Sequence, residues 1–183
     1  MPITIYTIGH GNRPAEEFRD LLQGVGVTCL ADVRAHPGSR RHPQFSVAAL
    51  THDLASIGIR YTWNGEALGG RRRSRHESRH VALRNASFRA YADHMESAEF
   101  TAAIDALVSS ARSDHIAIMC AERLPWRCHR YLIADYLVAH GIDVRHLIAP
   151  GSVREHALKD VARVANGLLI YDKSDPLELD FGR

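Results

Sequence analysis

Short apolar runs alternate along the chain with segments in which apolar residues recur every three or four positions. The runs are typical of buried strands, and the periodic segments are typical of amphipathic helices. The predicted strands are Ile3–Ile8, Thr28–Val33, Ile59–Trp63, Ile116–Cys120, Val144–Ile148 and Leu168–Tyr171. The predicted helices cover residues 14–25, 46–57, 97–111 and 126–140. This alternation predicts a single α/β domain over residues 1–183, with a mostly parallel sheet flanked by helices on both faces.

Two further segments carry local signals of their own. Ser152 and Glu155 have the spacing of a capping box, which predicts one more helix from that point. Residues 69–80 contain two glycines, five arginines and no periodic apolar signal. We expect this stretch to be a mobile arginine-rich loop that extends over the functional site.

Composition narrows the class of protein. A chain of 183 residues with 45% hydrophobic content is large enough for one self-supporting core. It has no run of 18 apolar residues, which argues against a membrane span. Three cysteines argue against a disulfide framework and favour a reducing, cytoplasmic location. The formal net charge of +2 does not demand a nucleic-acid partner, although all of the 23 basic residues except Lys159 and Lys173 are arginine.

Residues 116–130 hold the densest group of reactive side chains. An apolar strand ends at Cys120, and a loop with Glu122 leads to Cys128 and His129 at the start of the next helix. Helical periodicity places Cys128 and His129 on the sheet-facing side of the first turn. Because ligands of α/β proteins bind at the carboxyl ends of the strands, we expect an active site here.

Three interpretations of this stretch remain open. In the first, Cys120 is a nucleophilic thiolate and the most reactive of the three thiols. In the second, Cys120, Cys128 and His129 bind zinc or iron. In the third, Cys120 only packs in the core. The ligand is then bound by Glu122, Arg127 and Arg130.

Other strand ends add polar groups at the same edge. The turn after the first strand carries His10 between two glycines, in a geometry suited to an anion. Asp32 and Arg34 end the second strand two residues apart, so they share one side of the chain. Asp32 is a candidate acid or base, as are Glu122 and His129. Arg34 is expected to hold the anion together with Arg40 and Arg130. The remaining ligand-binding candidates are Ser39 in the next turn, and Tyr61, Gly69 and Gly70 as a stacking wall.

Several motifs occur in the order typical of one known family. They are Thr7-Ile-Gly-His10, Asp32-Val-Arg34 with Pro37 and Ser39-Arg40, Leu68-Gly-Gly70, and Cys120-Ala-Glu122-Arg followed by Pro125 and Cys128-His129-Arg130. On these residues the chain resembles the domain of unknown function family 488 over residues 3–150. The resemblance implies a compact cytoplasmic α/β protein whose recurrent residues are these polar ones, and it implies no particular reaction. Gly11 stands where the family usually has serine.

A weaker resemblance is to rhodanese-type sulfurtransferases and cysteine phosphatases. In those proteins a strand ends in cysteine, and a loop, an arginine and a helix follow. Here six residues separate Cys120 from Arg127, which is one more than in the phosphatases. Pro125 also removes an N–H group that an anion-binding loop would use. This resemblance implies thiol chemistry at Cys120.

Taken together, these residues favour an enzyme that acts on a small anionic, phosphate-bearing or nucleotide-like ligand. The alternative from another class is a nucleic-acid-binding or processing module, in which the Arg71–Arg79 loop contacts phosphates and Tyr61 or Trp63 stacks on a base. A binding or regulatory protein without catalytic activity is a third alternative. The sequence specifies no cofactor.

Overall fold

The computed structural model describes residues 3–38, 40–75 and 77–173. The strands are β1 Thr4–Gly9, β2 Cys29–Asp32, β3 Arg60–Trp63, β4 Ile116–Cys120, β5 Asp143–Ala149, β6 Ser152–Glu155, β7 Ala162–Ala165 and β8 Leu168–Tyr171. The first six form one sheet in the order β3-β2-β4-β1-β5-β6, and β7 pairs with β8 in a second sheet. Strands β1 to β5 pair in parallel, and β6 is antiparallel to β5. The predicted α/β class with a mostly parallel sheet is confirmed.

Helices cover both faces of the large sheet. They are α1 Ala15–Gln23, α2 Val47–Ala55, α3 Gly65–Leu68, α4 Ala86–Met95, α5 Ala98–Ser110 and α6 Arg130–Ala139. Helices α1 and α2 pack on one face through residues such as Phe18 and Leu50. Helices α4, α5 and α6 pack on the other face through Tyr91, Phe100 and Ile133. The prediction of helices on both faces is therefore confirmed.

The alternation of side chains along β4 decides which face receives its cysteine. Met119 belongs to the apolar cluster with α1 and α2. Ile118 and Cys120 belong to the cluster with α4, α5 and α6, which also contains Cys128. Because successive side chains of a strand point to opposite faces, Cys120 lies on the α6 side of the sheet.

Parallel pairing brings the carboxyl ends of the central strands to one edge. Gly9 at the end of β1 is in register with Cys120 at the end of β4. Asp32 of β2 is in register with Met119, and the N–H group of the next residue, Val33, donates to the carbonyl of Met119. The loops that follow these three strands therefore start side by side, and their side chains form the candidate site.

Three local predictions differ from the structure. Residues 152–155 form strand β6 rather than a helix. Gly151, with a φ of +71°, reverses the chain so that β6 pairs with β5. The helix predicted over 126–140 begins only at Arg130, after a 3-10 turn over Pro125–Arg127. Helix α4 was missed because its buried residues, which include Asp93, are too mixed in polarity for an amphipathic pattern.

No helix in the described part of the chain combines the length and the apolar character that crossing a bilayer requires. The three cysteines are buried, and each is a free thiol.

Candidate functional site

Two thiols and one imidazole meet at the carboxyl edge of the sheet. Cys120 is the last residue of β4, and Cys128 and His129 immediately precede α6. The Nδ1 atom of His129 lies 3.6 Å from the Sγ atom of Cys128 and 3.9 Å from the Sγ atom of Cys120. These three atoms all lie within 4.8 Å of one another. We call these three residues the thiol–imidazole cluster.

The surroundings of His129 set the orientation of its ring. Its Nε2 atom lies 3.2 Å from the carbonyl oxygen of Val33. Because a carbonyl only accepts hydrogen bonds, Nε2 carries a proton, and in the neutral ring Nδ1 presents its lone pair to the two sulfur atoms. The ring also lies against Tyr91, with 4.9 Å between the centroids. At Gly70 a Cβ atom would lie 2.4 Å from Nδ1, so any side chain there would displace the imidazole.

The two thiols of the cluster have different environments. The hydrogen bond to Cys128, together with burial, raises the pKa of the Cys120 thiol. Burial acts to raise the pKa of Cys128 as well. However, the hydrogen bond from Cys120, the charge of Arg130 and the N–H group of Arg130 outweigh burial and lower the pKa of Cys128 to about 7. These environments favour Cys128 as the thiolate, whereas the sequence-based hypothesis placed it at Cys120.

An open cavity of about 310 Å³ adjoins the thiol–imidazole cluster. Its walls come from the loops after β2 and β4, from the segment after α3 and from the first turn of α4. Besides the cluster, the main lining residues are His36, Gly70, Arg71, Phe88, Glu122 and Arg127. A second cavity of about 470 Å³ shares Arg34, His36 and Glu122 with the first and extends toward His10 and Arg40. We refer to the two adjoining cavities as the cleft.

Comparison with known families agrees with the motifs of this cleft. A family model described as Domain of unknown function DUF488 matches residues 14–137, a segment that includes Asp32 and the whole thiol–imidazole cluster. The chain belongs to this family. No curated protein matches the chain, and no solved structure matches it.

Asp32 and Arg34 form a closed, buried pair beneath the cleft. The Asp32 carboxylate accepts hydrogen bonds from the backbone N–H and the guanidinium of Arg34, and from the hydroxyl of Tyr61. The side chains of Asp32 and Arg34 are 0% and 5% exposed. Burial and the hydrogen bond to Asp32 raise the pKa of Tyr61. Although Arg34 borders the cleft, these groups bind one another, so their main effect is to hold the loop after β2.

His10 is brought to the cleft, but its ring nitrogens are already used. Nδ1 lies 2.9 Å from the carbonyl oxygen of Gly11, and Nε2 lies 3.3 Å from Nη1 of Arg34. The ring stacks on Phe45 with 4.5 Å between the centroids. Burial lowers the pKa of His10 to about 4. His10 is therefore a neutral group at neutral pH that connects the loops after β1 and β2.

Arg130 stabilises the loop after β4 from inside the protein. Its buried guanidinium donates to the carbonyl oxygens of Glu122, at 2.6 Å, and Arg123, at 3.0 Å. The loop approaches β1 so closely that a Cβ atom at Gly9 would lie 1.8 Å from the Glu122 carbonyl oxygen. Arg130 therefore positions the backbone of Glu122, and the hydrogen bonds of its Nη atoms are made to protein rather than to a ligand.

The glycine turn after β1 also binds this loop. The N–H groups of His10 and Gly11 donate to the carbonyl oxygens of Cys120 and Ala121. The anion-binding geometry predicted for the turn is thus replaced by hydrogen bonds within the protein. Phosphate-binding loops present backbone N–H groups to the anion, whereas here the loop carbonyls are bound by neighbouring donors.

The structure places some of the other predicted ligand residues at the cleft and others away from it. Arg40 borders the second cavity of the cleft, and Ser39 lies outside the described residues. The Tyr61 hydroxyl binds Asp32, so this ring is not part of a stacking wall in the cleft. A Cβ atom at Gly69 would lie 2.3 Å from a backbone oxygen of α3, which explains glycine there by close packing.

Most of the arginine-rich loop is bound to the body of the protein. Arg72 donates to two backbone carbonyls, while Arg75 and Arg79 form ion pairs with Glu96 of the segment after α4. Arg71 instead borders the cavity beside the thiol–imidazole cluster. The extension of the loop over the site and its mobility stay predictions.

Three of the residues that sequence reasoning missed line the cavity beside the cluster. His36 follows the Asp-Val-Arg motif, and Ser87 and Phe88 lie in the first turn of α4. Asn85 caps that helix, because its side chain accepts hydrogen bonds from the N–H groups of Ser87 and Phe88. The signal in the sequence was therefore Asn85, which is a typical helix N-cap residue. It could have located the start of α4 and, with it, this part of the cavity wall.

Proposed function

We propose that the protein is an enzyme that acts on a small anionic ligand, bound in the cleft between the thiol–imidazole cluster and the guanidinium groups of Arg71 and Arg127. Both arginines are exposed and border the cavity next to the cluster. Neither side chain has a hydrogen-bond or ion-pair partner among the described residues. Guanidinium groups bind phosphate and carboxylate oxygens through paired N–H donors. Two such groups beside reactive side chains are the observation that carries the proposal.

The charge balance of the cleft supports an anionic ligand. Among the described residues that border the cavity beside the cluster, Glu122 is the acidic one, against Arg34, Arg71 and Arg127. The charge of Arg34 is compensated by Asp32, so Arg71 and Arg127 provide the net positive potential. A positive potential inside a concave site raises the local concentration of anions.

Glu122 supplies a group that a binding protein would not need. Its side chain is exposed and borders both cavities of the cleft, whereas Arg71 borders only the cavity beside the cluster. A carboxylate beside a bound anion raises the free energy of binding, which a pure binding site would avoid. In an enzyme the same carboxylate serves as a general acid or base. We therefore assign this role to Glu122 rather than to the buried Asp32.

The binding step is tested by replacing the free arginines. Arg127→Gln and Arg71→Gln are each expected to weaken the binding of inorganic pyrophosphate or adenosine monophosphate by about 10- to 100-fold, because each removes a charge-assisted hydrogen bond. Isothermal titration calorimetry on the full chain measures the effect. Arg34 and Arg130 are unsuitable for this test, since both hold the fold through buried hydrogen bonds.

Arg73→Gln is the matched control, because Arg73 is exposed on the same loop and does not border the cleft. It should bind both probes as the unmodified protein does. The proposal would be contradicted if Arg71→Gln and Arg127→Gln bound the probes as tightly as Arg73→Gln and the unmodified protein do. Binding confined to polynucleotides, with a steep loss of affinity as salt increases, would instead favour the nucleic-acid alternative.

A further inference from the structure

We infer that Cys120, Cys128 and His129 form a binding site for a borderline-soft divalent ion of the zinc type, with one coordination position open to the cleft. The inference goes beyond the anion-binding function, which requires only the arginines. Sulfur and imidazole nitrogen are the donors that Zn²⁺ prefers in proteins. The starting observation is that two thiols lie beside one imidazole. The Nδ1 atom of this imidazole has no hydrogen-bond partner among the described residues other than the two sulfur atoms.

The distances between the donor atoms fit a tetrahedral ion. With Zn–S bonds of about 2.3 Å and Zn–N bonds of about 2.0 to 2.1 Å, sulfur and nitrogen ligands of one ion lie about 3.6 Å apart. In the structure the Nδ1 atom of His129 lies 3.6 Å from the sulfur of Cys128 and 3.9 Å from the sulfur of Cys120. An ion would require contractions of a few tenths of an ångström at most in the two nitrogen–sulfur distances. It would also bring the two sulfur atoms, which lie within 4.8 Å of each other, to about 3.8 Å.

The support around His129 is of the kind that metal ligands have. A histidine ligand usually donates its second ring N–H to a carbonyl or carboxylate, which fixes the tautomer and the direction of the lone pair. Here that hydrogen bond is made by Nε2 to the carbonyl oxygen of Val33, at 3.2 Å. Gly70 leaves room for the ring, and Tyr91 covers it on another side. The ligand nitrogen is therefore held toward the two sulfurs before any ion binds.

A Cys–His pair that acts as a nucleophile and base would use only one of the two thiols. The presence of a second thiol beside the imidazole is accounted for if both sulfur atoms are metal ligands. Cys120 and Cys128 come from a strand end and a helix start, which are rigid elements suited to a preformed site. Three protein ligands leave the fourth position for a water molecule or an oxygen atom of the ligand, as in catalytic zinc sites. All three proposed ligands line the cavity that Glu122 and Arg127 also border, so that position would be reached from the cleft.

The experiment titrates metal-free, reduced full-length protein with Zn²⁺ against a colorimetric chelator, and with Co²⁺ under anaerobic conditions. We expect one equivalent to bind. Co²⁺ should show the intense visible bands of a four-coordinate ion and a thiolate-to-cobalt charge-transfer band. Cys120→Ser and Cys128→Ser should each weaken Zn²⁺ binding by about 100-fold or more, since even outer-sphere changes cost about 10- to 100-fold. Circular dichroism checks that the variants fold.

Cys29→Ser is the matched control. Cys29 is also a buried thiol at one end of a strand, the first residue of β2, but its side-chain neighbour is Thr62 rather than histidine. It should bind Zn²⁺ as the unmodified chain does. Absence of a stoichiometric ion in the reduced protein, or a Co²⁺ spectrum without the thiolate band, would overturn the inference. The spectrum of the unmodified chain decides this even if a cysteine variant does not fold. Because pyrophosphate binding is measured separately on the arginine variants, either proposal can fail while the other stands.

Discussion

Replacement of Asp32 by alanine is expected to lower the free energy of unfolding by about 3 to 5 kcal/mol, because it leaves the Arg34 guanidinium buried without its counter-ion. Asp32 accepts hydrogen bonds from Arg34 and from the Tyr61 hydroxyl, so the change also leaves a second donor without an acceptor. The loss is comparable to a large part of the total stability of a typical domain. Urea-induced unfolding followed by circular dichroism measures it.

Two variants distinguish the cost of leaving one charge of the pair unpaired from the cost of removing both charges. The double change Asp32→Leu with Arg34→Met removes both charges, and it should recover a substantial part of the stability lost by Asp32→Ala. Arg60→Met breaks an ion pair with Asp114 in which the arginine side chain is 55% exposed, and it should cost no more than about 1 kcal/mol. If Asp32→Ala is no more damaging than Arg60→Met, the pair is not the structural support of the cleft that its burial indicates.

Acidification from pH 7 to pH 4.5 is expected to reduce the free energy of unfolding by about 5 kcal/mol through two buried histidines, since each pKa unit is worth about 1.4 kcal/mol. Burial lowers the pKa of His10 to about 4. Burial, with the nearby His156 and Arg130, lowers the pKa of His146 to about 3. In the unfolded chain both rings take up a proton near pH 6.5, whereas in the folded protein they remain neutral. The stabilisation is therefore complete above about pH 6.5 and is lost as the pH falls toward 4 and 3.

His146→Gln tests the origin of this pH dependence. His146 is buried between Thr7 and His156, with hydrogen bonds of 2.6 and 2.9 Å. Glutamine keeps a donor and an acceptor but does not titrate, so the loss of stability between pH 7 and pH 4.5 should shrink by about half. His52→Gln, at an exposed position of α2, is the control and should leave the loss unchanged. An unaltered pH dependence in the His146 variant would show that carboxylates or other groups cause the acid sensitivity.

The buried Asp32–Arg34 pair and the buried His10 affect the structure of the cleft. Asp32, Arg34, His10 and Arg130 all make hydrogen bonds that tie together the loops after β1, β2 and β4. Charged side chains in that position look like ligand-binding groups from the sequence, yet the hydrogen bonds that they make are to protein groups. Among the described residues, the Nε atom of Arg130 is the donor of this set that has no partner. Their contribution is to keep the walls of the cleft in place. Beside the thiol–imidazole cluster, the exposed charged groups that remain for a ligand are Arg71, Glu122 and Arg127.

Much of the fold was predictable because local patterns and tertiary structure agree there. The run Ile116–Cys120 reads as a buried strand, and all five residues are buried in β4. Ser46 was a plausible helix cap, and its side chain does accept a hydrogen bond from the N–H of Ala49. In contrast, Ser152 and Glu155 have the spacing of a helix start but lie in β6. There the pairing with β5 outweighs a local signal that is worth about 1 kcal/mol.

The sequence by itself determined the α/β class, the family and the edge of the sheet where the reactive residues meet. These follow from periodicity and from motif order, which are properties of neighbouring residues. Only the tertiary structure decided the role of each polar residue, because that depends on partners far away in the chain. Arg34 is bound by Asp32 and by the Phe45 carbonyl, and Arg130 by the loop at Glu122, while Arg71 and Arg127 border the cavity without a partner among the described residues. Side chains of the same type thus divide into buried supports, for which the fold supplies partners, and exposed groups at the cavity, which we propose as ligand contacts.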